Sequence, residues 1–164
     1  LFFCLISSIS LQAQDANKIT FMLLLNEAKQ NFKTILGDEF QKSEDGKKTF
    51  YNCNGGFNTT TEFITVEDVN GKLTYQYVLY FELSKLSSDD LTAVAKIVED
   101  GVDFANMLVL SGEYDGDDFN EEAAGTSKTQ VWIPSSEKVV MEITTVKQQE
   151  EALVIISFLG HGEG

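Results

Sequence analysis

The chain has 164 residues, of which 43% are hydrophobic and one is proline, and its formal net charge is −14. That balance fits a packed domain and not a disordered tail. All twelve positive charges are Lys, so the bidentate Arg contacts that read guanine or clamp phosphate are missing, and the acidic excess disfavours nucleic acid and anionic membrane surfaces as partners.

Residues 1–13, LFFCLISSISLQA, read as an export signal without its basic start. An uncharged apolar run ends in small and polar residues, with Ala13 placed for cleavage before Gln14. The run is shorter than the roughly 20 residues that cross a bilayer. Cleavage would leave residues 14–164 as one domain in a secreted or periplasmic setting, as in a bacterial envelope, with no membrane insertion afterwards. It would also remove Cys4 and leave Cys53 alone, so no internal disulfide is available.

The first mature element reads as a helix from Asn17 to Leu36. Phe21, Leu25, Ala28, Phe32 and Ile35 recur at three- and four-residue steps, and Gly37 is placed to end it. Gln41 to Lys48 is polar and reads as a turn. Three strands follow: Thr49 to Cys53, Phe57 to Val66 and Leu73 to Phe81. The last two are joined by the hairpin signal Asn70–Gly71. Along the third strand Leu73, Tyr75, Tyr77, Leu79 and Phe81 share one face, which leaves Tyr80 on the other as a candidate contact residue.

Ser87 then caps a second helix with Asp89 and Asp90 in its first turn. Leu91, Val94, Ala95, Val98, Val102, Ala105 and Val109 form its stripe, and Ser111–Gly112 ends it. An acidic loop is expected over 113–127, followed by strands at Thr129 to Ile133, Lys138 to Val146 and Ala152 to Gly160. The almost wholly apolar last strand belongs near the sheet centre. A frayed tail over 161–164 completes the chain. These elements imply an α+β fold: an antiparallel sheet of about six strands with two helices on one face, in the order αβββ-αβββ. The ITV at Ile64 to Val66 and the ITT at Ile143 to Thr145 outline an internal duplication.

Chemistry is sparse. The acidic loop gathers Asp115, Asp117, Asp118, Glu121 and Glu122, hard oxygen donors of the kind Ca²⁺ takes, without the spacing of an EF-hand. The lone His161 in the tail and the lone Cys53 supply neither a triad nor a zinc set. Carboxylate pairs for hydrolysis are not singled out by any pattern. Trp132, beside Pro134 on an edge-type strand, joins Tyr80 as a candidate binding residue. The leading expectation is an exported, non-enzymatic binding module for a protein or small molecule, of unknown oligomeric state. The alternatives are a carboxylate-dependent hydrolase and a Ca²⁺-stabilised structural domain.

Overall fold

The computed structural model describes residues 16–121, 125–148 and 151–162. The expected export signal therefore lies outside the described residues, as do Glu122 and the last two residues of the tail.

Helix α1 spans residues 16–28. Four strands follow: β1 (Leu36–Lys42), β2 (Lys48–Cys53), β3 (Glu62–Val69) and β4 (Lys72–Glu82). A 3₁₀ turn (Leu83–Lys85) leads into α2 (Ser88–Leu110), and four more strands complete the chain: β5 (Asp115–Glu121), β6 (Thr126–Ile133), β7 (Lys138–Gln148) and β8 (Glu151–Leu159). The fold is α+β, with an antiparallel sheet as expected. It has eight strands instead of about six, and the order is αββββ-αββββ. The two extra strands, β1 and β5, arise where a helix end and an acidic loop were expected.

The sheet order is β1-β2-β3-β4-β8-β7-β6-β5. Each half is a four-stranded meander, and the halves meet along β4 and β8. At that seam Tyr77 pairs with Phe158 and Leu79 with Ile156, on either side of the Val78–Ser157 pair. A shift of 79 positions carries Tyr77 to Ile156 and Leu79 to Phe158, so it maps the seam onto itself. The strands of the two halves are thus related by a pseudo-two-fold through Val78 and Ser157. The same shift carries Gly37, Asp38 and Phe40 of β1 onto Gly116, Asp117 and Phe119 of β5.

Both helices lie on one face. Phe21 of α1 stacks on Phe104 of α2 at 5.6 Å and packs against Phe158 at 6.2 Å, which places the helices side by side over the seam. The core comprises Phe21, Leu24, Ile64, Tyr77, Leu79, Ile156 and Phe158, all fully buried. Burying side chains of this size contributes roughly 1.5–3 kcal/mol each. β8, the apolar last strand, lies at the centre of the sheet as expected.

Helix α1 stops at residue 28, not at Leu36. Asn31 and Phe32 adopt positive φ (56° and 58°), and Phe32 N–H donates to the carbonyl of Glu27 at 2.8 Å. Phe32 and Ile35 still enter the core, so the apolar spacing located buried residues correctly while the backbone left the helix. Helix α2 begins as expected: the Ser87 hydroxyl accepts from the Asp90 N–H at 3.2 Å. Its buried face is Val94, Asp100, Gly101, Phe104, Ala105 and Leu108, while Leu91 and Val109 are left exposed.

Candidate functional site

Alternation along the strands creates a second sheet face, opposite the helices. On β4, Leu79 and Phe81 enter the core, so Tyr80 points away from it. On β3, Ile64 is buried and Phe63 faces outward; on β2, Tyr51 packs on the core and Phe50 faces outward. With Phe40 of β1 these rings form a diagonal row across four strands. The centroid distances are 6.3 Å (Phe40–Phe50), 5.8 Å (Phe50–Phe63) and 6.0 Å (Phe63–Tyr80), with interplanar angles of 50°, 53° and 65°. Tilted rings at this separation attract one another edge to face. The rings are tilted against one another and do not form one coplanar stacking platform. Phe40, at the sheet edge, is 52% exposed. Charge around the row is locally balanced: Lys48 pairs with Glu67 at 2.7 Å and Lys42 with Glu39 at 3.4 Å.

The other half of this face is polar. Glu142 of β7 accepts from Gln130 Nε2 and from Thr144 Oγ1 (2.8 Å), and pairs with Lys128 at 3.7 Å. Trp132 follows the core residue Val131 on β6 and so faces outward; it is half-buried, opposite Asp115 and Val139. From strand spacing and rise, Trp132 and Tyr80 are about 20 Å apart. The two candidate contact residues share a face but not a site.

The acidic residues lie on a strand. Gly116 packs beneath α2, where an added Cβ would lie 2.8 Å from Val109 Cγ2. Asp118 is on that same side and accepts from Thr129 Oγ1 at 2.6 Å, whereas Asp115 and Asp117 alternate to the outer face. The strand therefore directs these carboxylates to both sides of the sheet, whereas a loop could have gathered them. Glu121 ends β5. Among the described residues no group of three or more His, Cys, Asp or Glu side chains is placed to hold a metal ion.

Between α1 and the first meander lies a polar cluster that the sequence did not announce. Glu62 accepts from Tyr77 Oη (2.6 Å), Phe57 N–H (2.9 Å) and Thr59 N–H (3.1 Å), which ties down the loop between β2 and β3. Cys53 S–H donates to the carbonyl of Gly55. Burial, aided by Glu62 and Glu27, pushes the thiol up to about 11, which leaves it protonated and poorly nucleophilic at neutral pH. Glu27 is buried: its Oε1 accepts from Gln30 Nε2 (2.8 Å) and Thr34 Oγ1 (2.6 Å), and its Oε2 has no hydrogen-bond partner.

His161 is held beside α1, where its N–H donates to the carbonyl of Ala28 at 2.9 Å and the following Gly162 N–H donates to Asn31 Oδ1. The segment expected to fray thus begins with two anchored residues. Burial holds the imidazole below its ordinary range, with Lys138 and Lys29 adding to the effect. Its Nδ1 lies 3.1 Å from the carbonyl of Leu159. Cys53, Glu62 and His161 are thus each engaged in hydrogen bonds within the fold. A shallow groove of about 440 Å³ beside α2, lined by Leu83, Leu91, Val94, Ala95, Val98 and Val154, is aliphatic apart from Glu99, its one charged lining residue. Among the described residues no helix is long and apolar enough to cross a membrane.

Compared with known proteins, the chain matches no family model, and no curated protein or solved structure shows significant similarity to it.

Proposed function

We propose that the protein is an exported, non-enzymatic binding module that engages its partner through the helix-free sheet face. The row Phe40–Phe50–Phe63–Tyr80 carries this reading. It sets four large rings on an accessible face, with their flanking charges already paired, in a molecule whose surface is otherwise strongly acidic. Aromatic residues anchored in this way are the usual carriers of binding energy at protein interfaces. Export rests on residues 1–13, and amino-terminal sequencing of the protein recovered from its host should begin at Gln14. The repeated element order and the 79-residue shift support the reading of the two halves as copies of one αββββ unit. Only the first copy has the aromatic row; the second has Lys128 and Glu142 on the corresponding strands.

The test is capture of partners from the envelope fraction by the wild-type domain and by Phe40→Ala and Tyr80→Ala variants. A specific partner retained by the wild type and lost by both variants, with their melting curves within a few degrees of wild type, is the expected outcome. Capture unchanged by either substitution would remove the sheet face from consideration.

A further inference from the structure

Helix α1 and the turn that follows it depart from the acidic character of the rest of the surface. Residues 16–35 carry Lys18, Lys29 and Lys33, and their only acid, Glu27, is buried. Among the described residues, none of these three lysines takes part in an ion pair. Between Lys18 and Lys29 lie Ile19, Met22 and Leu23, spaced i, i+3 and i+4, with exposures of 65%, 52% and 42%. Such a stripe normally faces a core or a partner.

Helix α2, beside it, has the opposite sign. Asp89, Asp90, Glu99 and Asp103 are exposed, and its single Lys96 is drawn onto the buried Asp100 at 2.6 Å. It also exposes apolar residues: Met107 at 48% and Leu110 at 86%. The helical layer is therefore half cationic and half anionic, with apolar side chains in both halves.

A surface of this kind is complementary to itself. A two-fold axis lying between the helices sets α1 of one copy on α2 of the other, and the reverse contact follows by symmetry. We infer that the protein forms an isologous dimer through its helical layer, in which Lys18, Lys29 and Lys33 of each copy face the acids of the other's α2 while Ile19, Met22 and Leu23 pack against its Met107 and Leu110. An anionic membrane surface fits less well, because the acids of α2 in the same layer would meet the lipid charge. Two helices about 10 Å wide, meeting over the roughly 20 Å length of α1, make a small interface, so dissociation belongs in the micromolar range. The sheet faces would then point outward in opposite directions. This arrangement does not depend on what those faces bind.

The experiment is sedimentation of the chain, with and without residues 1–13, across the micromolar range. A monomer–dimer equilibrium that persists without residues 1–13 is expected. Lys29→Glu/Lys33→Glu turns the net charge of residues 16–35 from positive to negative, and Glu99→Lys/Asp103→Lys cancels the net negative charge of α2 and puts lysines where its central exposed acids stood. Each alone should be monomeric, and an equimolar mixture should form the heterodimer, which shows that both variants are folded. Leu23→Asp should weaken the dimer at least tenfold. A strictly monomeric wild type, a mixture that stays monomeric, a dimer indifferent to Leu23→Asp, or one that needs residues 1–13 would overturn the inference. So would a monomer that binds anionic vesicles through Lys29 and Lys33.

Discussion

Cys53 sits among hydrogen-bond acceptors and carboxylates, and this sets its chemistry more than its sequence neighbours Lys47 and Lys48 do. Its proton is held more tightly in the folded chain than in the unfolded one, where the ordinary value is near 9.0. The stabilisation is therefore complete below about pH 9 and is lost as pH rises toward about 11. Urea midpoints of wild type and Cys53→Ala should converge over that interval; a gap that widened would contradict the assignment. At pH 8 the native thiol should alkylate at least tenfold more slowly than the thiol in urea. Asp100 is a second case: a wholly buried carboxylate held by Asn17 Nδ2 at 2.8 Å and by Lys96, on a helix stripe whose apolar spacing gave no sign of it. Lys96 lies one turn before Asp100 on the same helix, a spacing readable in the sequence, whereas only the packing of the two helices brings Asn17 to it.

At the scale of elements, the crossing of α1 and α2 depends on Gly101. A Cβ there would lie 3.0 Å from Ile143 Cδ1 and 3.1 Å from Phe21 Cζ, so the missing side chain makes room for the Phe21 ring. Gly101→Ala gains about 1 kcal/mol of helix propensity but overpacks the crossing at a cost of about 1–3 kcal/mol. The expected net result is a lower melting temperature, partly restored by Phe21→Leu; a stabilised Gly101→Ala would show that the crossing is loose. The helix cap at Ser87, the hairpin at Asn70–Gly71 (φ 57° and 80°) and the central β8 were legible because local chemistry and apolar content agree there. β1 and β5 were not. LGDEFQK and DGDDFNE have poor strand propensity and extend because each pairs with one neighbour at a sheet edge, where charge also deters a further strand. Their shared Gly-Asp-acid-Phe pattern was the available signal, and it would have outlined the repeat more clearly than Ile64 and Ile143. The outward row of rings was legible only at Tyr80, since Phe50, Phe63 and Phe40 become neighbours through strand register.

For the molecule as a whole, the seam between β4 and β8 is the line on which both halves depend. Hydrogen exchange should be slowest at Tyr77, Leu79, Ile156 and Phe158, and should quicken outward to β1 and β5. Protection that peaked within one meander would mean that a half holds together without the other. A net charge of −14 describes the sum and hides the distribution: the cations of residues 16–35 stand apart from the acids of α2 and β5. Composition argues against nucleic acid chemistry and is silent on where one copy could meet another.

The seam also fixes the order in which the fold can be completed. β8 fills the middle of the sheet, yet among the described strands it comes last along the chain. Until it arrives, β4 has a bare edge and Tyr77 and Leu79 lack their partners, which lie about 80 residues away along the chain. The sheet therefore cannot lock into its native order until residues 151–159 have been made, and every chain cut short of them keeps the edge of β4 open.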